Sequence, residues 1–305
     1  MKTPCMIPDD FIKSFGHDIS AFVQDKIRGY AFRYDELSEE EHDGCVLQVV
    51  KTLLANDIIR AGEHRVVDWN SGWACNLEKL AEWNMGIDGL VPDYYNKYPY
   101  LRWQQRFIKP CSHDFERNML YLIMDWLSDK YMRDAEYIYE FGCGTGHHLE
   151  RLRHVNPNAS LCGLDWAEST QKIFSVLSSL GITSRQFDFF QPDDNFILKD
   201  DSIVYTVAAL EQVGDKYDKF IDYLLRNRPK LCIHVEPITE LMDKNNLMDY
   251  LSIEYCKKRN YLSGFLTVLE QMEIAGRIKI LMSQRTYIGS LFIDGYSVVI
   301  WTPQI

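Results

Sequence analysis

The second half of this sequence predicts an α/β domain built on a seven-stranded, mostly parallel sheet whose last strand runs antiparallel. Three observations carry the prediction. Seven short apolar runs recur at 137–141 (YIYEF), 160–164 (SLCGL), 184–189 (SRQFDF), 202–209 (SIVYTVAA), 230–236 (KLCIHVE), 277–282 (RIKILM) and 296–301 (YSVVIW). The early runs are separated by helical stretches such as 167–180 and 215–227, and strand alternating with helix implies a parallel sheet with helices on both faces. The last two runs are joined by QRTYIGSLFIDG with no helix between them, which reads as an antiparallel pair at one edge.

Residues 1–113 follow a different pattern. They are rich in Trp, Tyr, Asp and Glu, with helical stretches at 18–28 and 44–59, and Pro92, Pro99 and Pro110 punctuate a dense aromatic segment. This part is expected to be mainly helical and to form a lid or acceptor-binding region. The stretch 114–131 (DFERNMLYLIMDWLSDKY) has helical spacing and leads into the sheet, so the domain boundary is placed near 113, with residues 114–305 forming the second unit. No repeat or low-complexity segment is visible.

Of the 305 residues, 46% are hydrophobic and 25% charged, which is the composition of a folded core. Lys plus Arg is 33 against 44 Asp plus Glu, a net charge of -11, so a basic footprint for phosphate backbones is missing at chain level. No apolar run reaches the roughly 18–20 residues of a membrane span, and MKTPCMIPDDFIKSFG has no apolar signal region. The eight cysteines are scattered, with no CxxC pair, as in a reducing compartment. A cytoplasmic protein with no nucleic-acid or membrane partner is expected.

Residues 138–151 read IYEFGCGTGHHLER. A strand-to-helix turn rich in glycine lets a ligand approach the backbone near a helix N-terminus. The glycines are Gly142, Gly144 and Gly146, one position short of the dinucleotide spacing G-x-G-x-x-G, and no G-K-[ST] follows to make a P-loop. Glu140 precedes the loop. A carboxylate there repels a pyrophosphate and suits a ligand carrying an ammonium or sulfonium cation.

The stretch EFGCGTG resembles motif I of the class I S-adenosylmethionine-dependent methyltransferases, acid-x-G-x-G-x-G at the end of a first strand. The resemblance continues in order. GLDWAE places Asp165 after the second strand, where the family's acid binds the two ribose hydroxyls, and QFDFF places Asp188 and Phe189 after the third, beside the adenine. It implies a Rossmann-like methyltransferase fold over about 114–305. It also implies S-adenosylmethionine as cofactor, S-adenosylhomocysteine as product, and Glu140, Gly142, Cys143, Gly144, Gly146, Asp165, Trp166, Asp188, Phe189 and Leu210 as the cofactor site. The N-terminal region would then cover the active site.

Methyl transfer from a sulfonium is a direct displacement, so alignment of the acceptor supplies much of the rate. A hydroxyl acceptor also needs a base. Candidates following the fourth and fifth strands are Glu211 (VAALEQVG) and His234 with Glu236 (CIHVEPI). His234 and Glu236 are two apart on a strand and share a face. They form either an oriented base or, for His234, a structural hydrogen bond inside an apolar strand; Glu211 either faces the pocket or caps a helix. His147 and His148 are adjacent on a helix and point apart, so no metal is expected. Acceptor contacts are placed on Tyr95, Arg102 and Gln105 in DYYNKYPYLRWQQRF, and on Arg259, Asn260 and Tyr261 in KKRNYLSGF.

The function expected is methylation of a small polar molecule, with O-methylation of a sugar or related metabolite favoured. A protein, peptide or amine N-methyltransferase is the alternative within the class. The Asn/Asp-Pro-Pro-aromatic motif for base amino groups is absent where LEQVG stands. A non-catalytic cofactor-binding module is the alternative outside it. The oligomeric state is not legible.

Overall fold

A computed structural model of the chain describes residues 4–82 and 86–304. The N-terminal region contains α1 (Pro8–Phe15), α2 (Ala21–Tyr30), β1 (Tyr34–Glu36), α3 (Glu39–Leu54), α4 (Val66–Glu82), β2 (Leu101–Trp103) and β3 (Arg106–Pro110). Local chemistry sets the helix ends. Ser20 caps α2 by accepting the Val23 N–H, and Ser38 with Glu41 forms a reciprocal capping box on α3. Those serines move both helices off the expected 18–28 and 44–59, because a capped start outweighs the apolar pattern on which the expectation rested.

The remainder runs α5 (Phe115–Leu127), β4 (Tyr137–Phe141), α6 (His147–Val155), β5 (Ser160–Asp165), α7 (Glu168–Val176), β6 (Ile182–Gln186), β7 (Ile203–Val207), α8 (Asp218–Asn227), β8 (Leu231–Glu236), α9 (Leu247–Arg259), α10 (Phe265–Ile274), β9 (Ile278–Gln284), β10 (Ile288–Gly289) and β11 (Ser297–Pro303). The strand expected at 184–189 lies earlier, at β6. It ends where the Asp188 carboxylate turns back to accept the Phe190 N–H at 2.8 Å.

Seven strands form one sheet in the order β6-β5-β4-β7-β8-β11-β9. The pairs β4–β5, β4–β7, β5–β6 and β7–β8 are parallel, and β11 is antiparallel to both β8 and β9. This is the seven-stranded, mostly parallel sheet with a reversed last strand that the sequence predicts. The order reverses at β4, so the carboxyl ends of β4, β5 and β7 open side by side, the place where open α/β sheets take ligands.

The pleat divides the core in two. Ile138, Tyr205, Ile233 and Ile300 face α1, α2 and α5, whereas Phe141, Val204, Val299 and Trp301 face α8 and α10. The first cluster runs without a break from Phe11, Phe15 and Val23 through Trp126 to the strands. The N-terminal region is thus packed onto one face of the sheet.

That region also carries a feature the sequence reading missed. β1, β3, β2 and β10 form a second, antiparallel sheet, with Ile288 opposite Trp103 and Gly289 opposite Arg102. The connection between β9 and β11 is therefore stitched to the N-terminal region. Its strand is only two residues long, too short for a sequence period to register. Among the described residues no helix is long and apolar enough to cross a membrane.

Candidate active site

The glycine stretch leaves β4 as a chain of left-handed turns, with φ +74° at Gly142, +54° at Gly144 and +78° at Gly146. A side chain at Gly142 would place its Cβ 2.3 Å from that of Ala209, and one at Gly144 would meet the Trp73 indole. The loop is held by the end of β5. Leu164 accepts the N–H groups of Gly142 and Cys143 through its carbonyl, and the Asp165 carboxylate accepts those of Gly144 and Ala167, each at 2.8 Å. Thr170 Oγ1 returns a hydrogen bond to the Gly144 carbonyl at 2.8 Å.

A cavity of about 410 Å³ opens over this loop, within the range of small-molecule sites. Glu140, Gly142, Cys143, Gly144, Asp165, Trp166 and Phe189 line one end of it. Helix α4 closes that end. The stacked pair Trp69 and Trp73, with ring centroids 5.3 Å apart, also lines the cavity, and Asn70 Oδ1 accepts the Ser169 N–H at the start of α7.

The acids at this end have no cationic partner among the described residues. Glu140 is buried and accepts only the Tyr205 hydroxyl, at 3.0 Å, while Asp165 accepts the backbone N–H groups of Gly144 and Ala167. Burial pushes the Glu140 carboxyl well above the usual carboxylate range and raises Asp165 to about 6. Buried carboxyls without a counter-charge suit a ligand that brings a positive charge.

The other end is made by side chains. Glu211, Tyr255, Arg259, Tyr261, Phe292 and Tyr296 line it. Glu211 follows β7, accepts the Gln212 side-chain amide at 2.9 Å, and is raised to about 8 by removal from solvent and by the neighbouring Glu236. Tyr255 and Phe292 stack with centroids 4.8 Å apart and planes 14° from parallel, and Tyr98 meets Phe292 edge-on.

Other sequence-selected residues lie outside the lining. The Gly146 position faces the Phe174 ring of α7. Asp188 is partly buried and caps its own turn, and Leu210 is fully buried in the core beneath the loop. The Glu236 carboxylate accepts the N–H groups of Ala209, Leu210 and Glu211, each at 3.1 Å, so it shapes the turn that carries Glu211. Burial raises Glu236 to about 7. His234 is held between the Thr206 hydroxyl and the Trp301 indole N–H, each at 3.0 Å, and burial lowers it to about 3.

Four acceptor candidates are likewise set back. Tyr95 lies behind His147, with its hydroxyl 3.4 Å from Nε2. Arg102 is buried and donates to the carbonyls of Leu291 and Met248, and Gln105 donates to Asp249 at 2.9 Å. Asn260 donates to the Ala61 carbonyl at 3.1 Å. Residues not selected from sequence also line the cavity: Trp69, Trp73, Tyr98, Glu116, His147 and His148. Tyr98 lies in the aromatic stretch already singled out. His147 and His148 adjoin the glycine motif at the start of α6, whereas Trp69, Trp73 and Glu116 carry no sequence signal, because α4 and α5 reach the cavity only through tertiary packing.

No family model and no curated protein matches the chain. Among solved structures it is similar to the O-methyltransferase NcsB1 from neocarzinostatin biosynthesis, at 12% identity over 62% of this chain and 57% of that one, with a TM-score of 0.41. The chain thus spans little more than half the length of that protein. It is also similar to the magnesium protoporphyrin IX methyltransferase ChlM from Synechocystis PCC 6803, at 15% identity over 62% and 83% of the two chains, TM-score 0.44. A third is PigF, at 12% identity over 87% and 69%, TM-score 0.43. The sheet order, with a reversed strand between the fifth and the edge, is that of the class I S-adenosylmethionine-dependent methyltransferase fold implied by EFGCGTG.

Proposed function

We propose that the protein is an S-adenosylmethionine-dependent methyltransferase acting on a hydroxyl of a small polar molecule, a sugar or another metabolite with a face flat enough to stack. One observation carries the reading. A glycine loop flanked by uncompensated buried carboxyls, Glu140 and Asp165, shares a single cavity with Glu211 and an aromatic wall. The glycine loop, Asp165, Trp166 and Phe189 would hold the cofactor, with Asp165 at its ribose hydroxyls, and Glu140 would face its positive charge. When bound, the cofactor supplies a methyl group activated as a sulfonium.

The chain's own residues then do three things. The aromatic wall and the N-terminal region, taken as residues 1–113, orient the acceptor and exclude water. Glu211 takes the proton from the acceptor hydroxyl, because it is the one of the three candidate bases that lines the cavity. Glu236 positions it by holding the three backbone N–H groups of its turn. A carboxyl near 8 is a stronger base than an ordinary glutamate once ionised, which suits it to accept a proton near neutral pH.

Calorimetry with S-adenosylmethionine, S-adenosylhomocysteine and NAD tests the reading. Binding of the first two and not the third is expected. NAD binding with no response to S-adenosylhomocysteine would overturn it.

A further inference from the structure

We infer that the acceptor is a ring-bearing hydroxy acid, and that Arg259 holds its carboxylate while the ring lies on the wall formed by Tyr255 and Phe292. The inference rests on the methyl-transfer reading and narrows its acceptor.

Arg259 ends α9 and is held there by the main chain. Its carbonyl accepts the Ala61 N–H at 2.6 Å, and Asn260 turns the chain away with φ +57°. Its guanidinium lines the cavity and donates to the Tyr261 hydroxyl at 3.0 Å. The Nε donor is buried and has no hydrogen-bond partner among the described residues. A guanidinium offers five donors in a fixed fork that matches a carboxylate, and here most of that capacity is unused.

The surroundings favour an anion from the ligand over one from the protein. Glu211 is the acid nearest in charge to Arg259, but its carboxyl is raised to about 8 and so is largely neutral at pH 7. A second cation, Arg65, lines the same cavity and lies over the Trp69 ring; it pairs with Asp68 at 2.7 Å, and its buried Nη1 has no hydrogen-bond partner among the described residues. The contacts from Arg259 and Asn260 to Ala61 bring the segment that carries Arg65 beside the end of α9. A neutral polyol would bring no charge to the buried Arg259 Nε, which would stay poorly paired at a desolvation cost. The near-parallel rings of Tyr255 and Phe292, with Tyr98 edge-on to Phe292, continue as a surface on which a flat ring stacks.

The test uses the full chain loaded with S-adenosylhomocysteine. Calorimetry compares 2-hydroxybenzoate, 4-hydroxybenzoate and D-glucuronate with their primary amides, which keep the ring and lose the charge. At least one acid is expected to bind 10- to 100-fold tighter than its amide, the range set by about 1.5–3 kcal/mol for a hydrogen bond to a charged group. Which acid it is separates an aromatic from a sugar acid. Arg259→Gln should reduce that preference to within about threefold, and Arg259→Lys should keep part of it, since lysine retains the charge without the fork. S-adenosylhomocysteine affinity should stay within about twofold in both variants, which also reports an intact fold. Equal binding of acids and amides, a preference that survives Arg259→Gln, or no binding of any acid would each overturn the inference. Failure to bind S-adenosylhomocysteine in the first place would instead remove the methyl-transfer reading.

Discussion

The two ends of the cavity are built by different means. At the glycine end the surface is mostly main chain, fixed by hydrogen bonds between consecutive elements: β4, its loop, the end of β5 and the start of α7. At the opposite end it is side chain, contributed by the segment around Tyr98, by α9 and by the connection that carries Phe292. A main-chain surface needs particular residue types at fixed spacing, so it leaves a motif. A side-chain surface gathered from distant segments leaves only composition. The contrast can be broken or sharpened by substitutions on each side of it.

The largest effect is expected at Glu211. Glu211→Gln removes the proton acceptor but keeps the shape, and we expect turnover on a hydroxyl acceptor to fall by about 10²–10⁴-fold. S-adenosylhomocysteine affinity should hardly change, because the glycine end is intact. The pH profile carries its own sign. Glu211 must be ionised to act, so the wild-type rate should climb with pH and level off above about 8, or lower when a bound cation stabilises the carboxylate. Near-normal turnover in the glutamine variant would move the base elsewhere, or make the acceptor an amine.

Gly142→Ala tests the main-chain end. The residue sits at φ +74°, and its new Cβ would lie 2.3 Å from that of Ala209. A left-handed alanine costs about 1–2 kcal/mol and the overlap about 1–3, so a stability loss of roughly 2–5 kcal/mol is expected, together with loss of S-adenosylhomocysteine binding. Denaturant titration and calorimetry read the two effects separately. A variant as stable as wild type would mean that the loop is held less rigidly than its hydrogen bonds imply.

This division also accounts for what was legible beforehand. The seven-stranded sheet and its reversed strand were readable because the inner strands β4, β7, β8 and β11 are near-continuous apolar runs buried on both faces, with a helix or turn to separate each run from the next. Glu140, Gly142, Gly144 and Asp165 stood out because a tight left-handed loop between a strand and a helix, held by a carboxylate, constrains residue type. Trp73 and Glu116 were not, because nothing local distinguishes a tryptophan or glutamate on an ordinary amphipathic helix from one that closes a cavity. Arg102 and Gln105 illustrate the same limit from the other side. Their aromatic-rich neighbourhood looks like a binding surface, yet their side chains are spent on Leu291, Met248 and Asp249. The small sheet with β10 escaped because a two-residue strand has no period.

Asp165→Ala gives a smaller effect with two parts. Loss of the carboxylate should weaken S-adenosylhomocysteine binding by about 1.5–3 kcal/mol. Stability should fall as well, by about 1–3 kcal/mol, since the N–H groups of Gly144 and Ala167 lose their acceptor inside the protein. In the wild type, S-adenosylmethionine should bind more tightly as pH rises through about 6, because the ionised form of Asp165 accepts both ribose hydroxyls. Lost affinity with unchanged stability would show that those two N–H groups find water instead.

The smallest effect, and the one that separates positioning from structure most cleanly, is at His234. The ring accepts from Trp301 and is paired with Thr206, and it does not line the cavity. His234→Leu removes two neutral hydrogen bonds, worth about 1 kcal/mol each, so a loss of roughly 2 kcal/mol at pH 7 is expected with turnover unchanged. The sign of the pH dependence follows from burial. The folded imidazole is held at about 3, below its ordinary 6.5, so its neutral form is favoured in the native state. The wild type therefore loses stability as pH falls below 6.5, at about 1.4 kcal/mol per unit, while the leucine variant does not share that loss. The two should converge near pH 5. Denaturant titrations at pH 7 and pH 5 measure the gap directly. A gap that stayed constant would mean the imidazole takes up its proton as readily in the folded protein as in the unfolded chain, and a turnover loss of about 10²-fold or more would return His234 to the chemistry as a base.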